Sequence, residues 1–154
     1  MGFGKNCCVT GHREIPADKL DFVKSELDRE VRLALMEGYR TFLTGFAKGV
    51  DILFAECVST RLDKYPDVFL EAVLPHPGVV SKLNASERIL LSKCSNIKTI
   101  CEKYQRSCFF QRNRYMVGQS SRVIAVYDNR AEGGTLFTMD YARAMDRDLR
   151  IIRI

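Results

Sequence analysis

Three loops of this 154-residue chain combine glycines with side chains that can bind an anion. The first loop follows an apolar run and reads Thr10-Gly11-His12-Arg13. A glycine directly after a strand lets backbone amides approach a ligand closely, and a guanidinium offers a planar donor fork to phosphate or carboxylate. A tight turn with an exposed histidine and arginine is the alternative. We predict that these four residues contact a ligand.

The second loop runs from Thr44 to Asp51 and joins an apolar run to a helical pattern. Unpaired amides and the helix dipole at a helix N-terminus favour an anion. The loop is neither a Walker A motif nor a G-x-G-x-x-G fingerprint, because neither spacing is present. Asp51 has an alternative role, since a carboxylate in the first turn stabilises the helix itself. The residues of this loop predicted to contact the ligand are Thr44, Gly45, Gly49 and Asp51.

The third loop runs from Asp128 to Thr135 and joins the most apolar run of the chain to a helical pattern. Gly133 and Gly134 permit close backbone approach, and Thr135 adds a hydroxyl donor. A plain helix-capping turn has a similar composition and is the alternative. Asp128 and these three residues are predicted to contact the ligand.

A basic and aromatic segment, residues 109–116, precedes the third loop. Arg112 and Arg114 diverge if the segment is helical, because positions two apart face different ways. We therefore expect one of them to reach the ligand, and we assign Arg112 and Asn113 to the site. The phenylalanines at the start of the segment either stack on bases or pack in the core, as helical aromatic residues more often do.

Apolar runs and helical periodicity predict the elements that must position these loops. Strands are predicted at residues 5–10, 41–44, 68–74, 97–101, 123–127 and 149–154. Helices are predicted at residues 49–62, 84–93, 108–120 and 133–145, after a first helix that begins near Asp18. Asp18 is predicted to be the N-cap of that first helix, and Gly38 is predicted to end it.

Regular alternation of strands and helices predicts a single α/β domain over residues 1–154. The strands are mostly continuous apolar runs, as expected of a mainly parallel sheet that is covered on both faces. The fold class is therefore a Rossmann-like three-layer domain. In such sheets a ligand lies beyond the carboxyl ends of the strands, near the switch in strand order, and the three loops above follow strands.

Composition and charge limit the kinds of binding partner that we expect for this protein. Hydrophobic residues make up 46% and charged residues 28% of the chain, and no apolar run approaches the roughly 18–20 residues of a membrane span. Residues 1–6 lack the apolar core of a secretory signal, so we expect a cytoplasmic protein without a membrane partner. Residues 1–77 carry 10 basic and 12 acidic side chains, whereas residues 78–154 carry 14 and 7. The basic half suits an anionic partner or is simply a solvated face.

Six cysteines and two histidines could suggest metal or redox chemistry. No two cysteines form a Cys-x-x-Cys pair, so reduced, structural thiols are expected, with a redox or metal role as the alternative. Cys7 and Cys8 are adjacent in a predicted strand and should point to opposite faces. His12 and His76 lack a third nitrogen ligand or paired thiolates, so we predict no zinc site. His76 is expected to be a loop residue.

Four blocks of the sequence together resemble the SLOG superfamily, in particular its small YpsA/YoqJ-like branch. These blocks are the first loop, the Gly45-x-Ala47-x-Gly49-Val50-Asp51 stretch, Arg112-Asn113, and the run from Val123 to Asp128 with its following Gly133-Gly134-Thr135. The middle and late blocks are also similar to the DNA-processing protein DprA, and a third similar family is that of the Lonely Guy phosphoribohydrolases. Phe46 departs from the branch, where a small residue is common, and would narrow the phosphate cradle.

The resemblance implies a sensing or signalling module that binds a nucleotide-derived ligand of the ADP-ribose or NAD type, and it implies self-association. The alternatives are a nucleotide-processing enzyme, with Asp51, Asp128 or Glu132 as acid or base, and a DprA-like protein that binds single-stranded DNA. The Lonely Guy pattern Pro-Gly-Gly-x-Gly-Thr-x-x-Glu is incomplete here, since its proline, middle glycine and glutamate are missing. The sequence assigns neither a catalytic residue nor a particular cofactor.

Overall fold

The computed structural model describes residues 5–154, over which six strands alternate with five α-helices. The strands are β1 Lys5–Gly11, β2 Tyr39–Thr44, β3 Phe69–Leu74, β4 Asn96–Thr99, β5 Arg122–Tyr127 and β6 Asp148–Arg153. The α-helices are α1 Leu20–Met36, α2 Val50–Ser59, α3 Ala85–Ser92, α4 Cys108–Gln119 and α5 Gly134–Ala144. Each predicted strand and helix is confirmed within a few residues. Residues 1–4 lie outside the described residues, and they make up most of the segment from which we expected no secretory signal.

The strands form one parallel sheet in the order β4-β3-β2-β1-β5-β6. From β1 the chain builds outward to β4, and it then returns to place β5 on the other side of β1. The strand order therefore switches between β1 and β5. Their carboxyl ends carry the first and third loops, so the fold brings these two loops together at the position where Rossmann-like sheets bind ligands.

Two helical layers cover the sheet, and the adjacent cysteines of β1 show how its faces divide. Cys7 packs with α1 and α2, next to Leu27 and Phe54. Cys8 packs on the opposite face with Met116 of α4. The predicted divergence of the two thiols is confirmed, because successive side chains of a strand point to opposite faces. The result is the predicted three-layer Rossmann-like domain.

The entry into α1 differs from the prediction. Asp18 is not the N-cap; it lies in a 3₁₀ turn, Ala17–Lys19, and the α-helix begins after Lys19 without a side-chain cap. The carbonyl of Pro16 accepts the Lys19 amide at 2.9 Å, so a backbone bond closes this turn. Gly38 does follow the end of α1, with φ +94°, as predicted.

The strand β4 is the one predicted strand that is not buried. All four of its residues are exposed, because it lies at the edge of the sheet and is only four residues long. By contrast every residue of β5 is buried, as a strand near the centre of a covered parallel sheet requires. Within residues 5–154 no helix is both long and apolar enough to span a bilayer.

Candidate functional site

The loops at the carboxyl ends of the central strands surround a cavity of about 400 Å³. Its wall combines backbone near the end of β1, the first turn of α2, one face of α4 and the start of α5. Nine of the fourteen predicted site residues contribute to this wall. They are Thr10, Gly11, His12, Arg13, Asp51, Arg112, Asn113, Gly134 and Thr135. We call this space the polar cavity.

The other five predicted residues lie outside the wall of the polar cavity: Thr44, Gly45, Gly49, Asp128 and Gly133. Thr44 is fully buried, where its hydroxyl donates to the Asp51 carbonyl at 2.9 Å and accepts from the Phe46 amide at 3.3 Å. It therefore ties the two ends of the second loop together. Gly133 is the N-cap of α5, with φ +118°.

Two glycines let the first and second loops touch each other. Gly49 has φ +86°, and a Cβ there would lie 2.4 Å from the His12 carbonyl oxygen. A Cβ on Gly11 would lie 2.5 Å from the Cβ of Val50. The amide of Val50 donates to the same His12 carbonyl at 3.2 Å. Both glycines are thus required for close packing between protein segments, which is a different role from the predicted approach to a ligand.

Arg112 lines the polar cavity and is almost completely buried. Its Nη1 donates to the carbonyl oxygen of Gly45 at 2.7 Å, and its Nε donates to the Asn113 side-chain oxygen at 2.8 Å. A Cβ on Gly45 would lie 2.5 Å from Nη1, so only glycine leaves room for this guanidinium. Arg114 is exposed, which confirms that the two arginines diverge.

Arg13 and Arg112 converge on the ring of Phe109. Their guanidinium carbons lie 5.3 Å and 5.8 Å from its centroid, within the range of cation–π contacts. Arg13 is exposed and forms no ion pair within residues 5–154. Phe109 is half-buried and Phe110 is 43% exposed, so the expectation that these two rings pack in the core is wrong. They line the cavity instead.

The carboxyl group of Asp51 is buried beside Arg112. Its Oδ2 accepts from the Ala47 amide at 3.3 Å. Burial raises the pKa of Asp51 to about 6, and the charge of Arg112 opposes that rise. The side chain therefore changes protonation state close to neutral pH, which suits acid or base chemistry. The helix-stabilising alternative also holds, since Asp51 lies in the first turn of α2.

His12 and Asp128 join the first loop to the third. The backbone amide of Asp128 donates to His12 Nε2 at 3.1 Å, and the Thr135 hydroxyl lies 3.4 Å from Nδ1. Burial lowers the pKa of His12, although the Asp128 carboxylate opposes this. Hydrogen bonds from Arg130 hold the pKa of Asp128 at about 2. Asp128 is consequently ionised at neutral pH, and its Oδ1 lies 3.2 Å from His12 Nε2.

A second cavity, of about 690 Å³, adjoins the first and was missed in the sequence. It lies beyond the carboxyl end of β3, under a 3₁₀ helix, Pro77–Lys82. His76 caps this helix, with its Nδ1 accepting from the Gly78 amide at 3.1 Å. The ring of His76 meets Tyr104 and Phe109 edge-on, with centroids 5.4 Å and 6.1 Å away. We call this space the aromatic cavity.

The sequence feature that could have indicated the aromatic cavity is Pro75-His76-Pro77. This segment follows β3 at the same edge of the sheet as the other loops. Phe46 also lines it, in a left-handed conformation with φ +58°. A glycine would adopt that conformation more readily than phenylalanine does. The ring of Phe46 packs in the core and does not line the polar cavity, so the prediction that it narrows the phosphate cradle is wrong.

The thiols and histidines form no metal site in the part of the chain that the structure describes. No three of the histidine, cysteine, aspartate and glutamate side chains in residues 5–154 cluster closely enough to hold an ion. All six cysteines are unpaired, and four are buried. Burial raises the pKa of Cys8 to about 12 and that of Cys57 to about 11, so these thiols are protonated at neutral pH.

Curated proteins with similar sequences are UPF0398 proteins. That of Bacillus pumilus (strain SAFR-032) is 22% identical over 129 residues, which cover 80% of this chain and 69% of the relative. That of Ligilactobacillus salivarius (strain UCC118) is 23% identical over 145 residues, which cover 86% of this chain and 79% of the relative. The similarity thus extends over most of the described domain.

Solved structures with the same fold include DNA processing protein A from Helicobacter pylori, described for its single-stranded DNA binding mode. It superimposes with a TM-score of 0.66 at 19% identity; the match covers 96% of this chain and 65% of that protein, a little under two thirds. The structural-genomics protein TM1055 superimposes with a TM-score of 0.56 at 18% identity, covering 94% and 72%. At these identities the likeness shows the fold alone.

A family model described as the "YspA SLOG family", named YpsA, matches residues 7–153. The match includes the three loops, Arg112 and both cavities' walls. It agrees with the resemblance that the four sequence blocks carry. This chain therefore belongs to the YpsA family of SLOG proteins.

Proposed function

We propose that the protein binds a phosphate-bearing, nucleotide-derived ligand at the polar cavity, as a sensing or signalling module. The phosphate lies between Arg13 and Arg112. Thr10, Asn113 and Thr135 supply polar groups for the hydroxyls of an attached sugar. The position at the strand-order switch is where Rossmann-like sheets hold such ligands.

The observation that carries this proposal is the incomplete pairing of Arg112. A buried guanidinium is costly unless hydrogen bonds and opposite charges compensate. Carbonyl and amide oxygens occupy Nη1 and Nε, whereas Nη2 makes no hydrogen bond within residues 5–154 and is not sealed from solvent. An anionic ligand would complete the set with a charge-assisted bond. Arg13 adds a second cation with no carboxylate partner in the described residues.

The direct test is calorimetric titration of the protein with AMP, ADP-ribose and NAD. Arg13→Gln should weaken binding by about 10- to 100-fold, because a hydrogen bond to a charged group contributes roughly 1.5–3 kcal/mol. Arg13 is exposed, so the variant should unfold at the wild-type temperature. Arg32→Gln, which removes an exposed arginine on α1, is the matched control. The proposal is contradicted if the protein binds none of the three nucleotides.

An enzyme that cleaves an N-glycosidic or phosphoanhydride bond is a second candidate, and the pKa of Asp51 favours it. Of the three carboxylates considered, Asp51 alone lines the polar cavity and titrates near neutrality. Asp128 is bound by Arg130 and is too acidic to donate a proton, and Glu132 is exposed. Release of product from one of the nucleotides, lost in Asp51→Ala with binding retained, would support this candidate.

Single-stranded DNA is a third candidate, favoured by the DNA binding of the Helicobacter pylori neighbour and by exposed rings beside the cavities. Tyr104 is 65% exposed and Phe110 is 43% exposed, as stacking on successive bases would require. Residues 78–154 carry a net charge of +7, from 14 basic and 7 acidic side chains. Binding of a short oligonucleotide should then weaken steeply with salt. A flat salt response would exclude this candidate.

Self-association, which the resemblance also implies, stays a prediction. Sedimentation velocity over a range of protein concentrations tests it. A single species of 17.6 kDa at every concentration would contradict it.

A further inference from the structure

We propose that the ligand has two ring-bearing ends joined through phosphate, and that it spans both cavities. Its base lies in the aromatic cavity, its phosphates between Arg13 and Arg112, and its second sugar in the polar cavity. This inference rests on the proposed function and deepens it, because it selects nucleotides whose 5′-phosphate carries a further group over simple mononucleotides.

The first argument is that the two cavities share one wall. Five residues line both of them: Arg13, Glu14, Ala47, Phe109 and Arg112. The two cations of the site therefore lie where the cavities meet, and not at the end of either one. A phosphate bound there has space on both sides. The volumes are about 400 Å³ and about 690 Å³, and each is within the usual range of about 300–1,000 Å³ for a small-molecule site.

The second argument is the difference in chemistry between the cavities. The aromatic cavity is lined by the rings of His76, Tyr104 and Phe109, with Val79 and Leu83 beside them. Flat rings and aliphatic groups suit a nucleobase, because every base has a face that can stack on an aromatic side chain. Tyr104 leaves 65% of its surface exposed although it belongs to this ring cluster, so a face remains for a ligand.

The polar cavity carries more polar groups than the aromatic cavity does, although Phe109 and Phe110 also line it. Asp51, Asn113 and Thr135 present a carboxyl, an amide and a hydroxyl within one small space. Such a set can bond the hydroxyls of a sugar, which need both donors and acceptors. Gly134 completes this wall, and a Cβ there would meet nothing within 4 Å. The space beside Gly134 is therefore open and can be filled without strain.

The third argument is the pair of cations. Arg13 and Arg112 both lie within cation–π range of Phe109, and burial and the charge of Arg13 both lower the pKa of Arg112, so the two guanidinium groups are close enough to interact. The guanidinium fork of Arg13 can bind two oxygens of a phosphate, whereas Arg112 offers its Nη2 alone. A diphosphate supplies a negative group for each of them, so it compensates the pair more fully than one phosphate does.

The experiment measures the affinities of ADP-ribose and AMP for two variants, each with a matched control. Tyr104→Ala removes the stacking ring, and Tyr65→Ala removes another exposed tyrosine outside both cavities. Gly134→Leu adds a bulky side chain at the wall of the polar cavity, and Gly118→Leu adds the same side chain where a Cβ also meets nothing within 4 Å. Thermal unfolding of all four variants checks that the fold is intact.

Wild-type protein should bind ADP-ribose more tightly than AMP. Tyr104→Ala should weaken both ligands by about 5- to 100-fold, the range for loss of one base–aromatic stack. Gly134→Leu should weaken ADP-ribose by about tenfold or more and leave AMP nearly unchanged, because only the larger ligand enters the polar cavity. Both controls should behave as wild type.

Each contrary result would disprove a different part of the proposal. If Tyr104→Ala leaves AMP affinity unchanged while Arg13→Gln weakens it, the proposed function survives and the placement of the base is wrong. If Gly134→Leu weakens AMP and ADP-ribose equally, the ligand occupies one cavity and does not span two. If wild-type protein binds neither nucleotide, the proposed function and this inference fail together.

Discussion

At the scale of single residues, the site depends on how a buried charge pair is arranged. Arg112 and Asp51 both lie against Gly45, whose missing side chain leaves the space they occupy. They are not in direct ion-pair contact, because no salt bridge joins them in the described residues. Asp51 is therefore only partly compensated, and desolvation outweighs the nearby positive charge in setting its pKa.

This balance makes the stability of the protein depend on pH through Asp51. A carboxyl whose pKa is raised to about 6 on folding binds its proton more tightly in the folded state. Its contribution to the free energy of unfolding is therefore fully present below its unfolded pKa, and it is lost as the pH rises through about 6. The change is on the order of 2 kcal/mol between about pH 4.5 and pH 7.5.

Asp51→Asn removes this titration and keeps an oxygen for the Ala47 amide. The free energy of unfolding of the wild type, minus that of the variant, should fall as the pH rises across the same interval. Urea unfolding at several pH values measures this difference. His12 titrates in both proteins and cancels. Parallel stability curves for the two proteins would show that Asp51 is ionised throughout.

At the scale of elements, the glycines fix how the loops meet. The first two loops approach so closely that backbone carbonyls of His12 and Arg13 lie where a side chain on Gly49 would be. The approach brings α2 and its Asp51 against the end of β1. The geometry of the polar cavity thus depends on backbone packing as much as on the side chains that line it.

Gly49→Ala should destabilise the protein by about 3 kcal/mol or more, because a strained φ of about 1–3 kcal/mol adds to the clash with two carbonyl groups. Gly118→Ala is the control, since it lies near the end of α4 with open space around it. It should leave stability unchanged or raise it by about 0.5–1 kcal/mol. Urea unfolding compares them. Equal stability of the two variants would contradict this role of Gly49.

At the scale of the whole molecule, arginines at the two ends of the central strands differ in how they are paired. At the amino-terminal edge of β5, Arg122 donates to Glu37 at 2.9 Å and to Asp148 at 2.8 Å, so it connects the end of α1 to β6. At the carboxyl edge, Arg13 and the Nη2 of Arg112 have no such partners in the described residues. Arg122 thus links three elements of the fold, whereas Arg13 and Nη2 of Arg112 are the groups that the proposed function assigns to an anionic ligand.

The reactivity of the cysteine thiols measures whether the core of the domain is folded. Four cysteines are buried and two are half-buried, and burial raises the pKa of Cys7, Cys8, Cys57 and Cys94. A thiol reagent that reacts with thiolates should therefore modify the native protein slowly. All six thiols should react at once in denaturant. A fast-reacting thiol in the native protein would reveal a reactive cysteine and contradict the structural role.

The sequence by itself determined the elements, because each signal for them is local. Apolar runs, helical periodicity and Gly38 predict strands and helices from residues within one turn or strand of each other. Alternation along the chain then implies a covered parallel sheet, and the carboxyl ends of its strands locate three of the loops that meet at the polar cavity. The N-cap of α1 was wrong because a 3₁₀ turn precedes that helix.

The tertiary structure alone decided which predicted residues face the cavities and which support them. Thr44 and Gly49 share the sequence signature of a binding loop, but their contacts are with other protein atoms. Gly45 lines the aromatic cavity and also leaves room for Arg112, which lies 67 residues further along the chain. Phe109 became a platform for two arginines, and His76 joined Tyr104 in a second cavity. Such contacts are set by how distant segments pack, and packing between residues far apart in the chain has no periodicity that a single sequence displays.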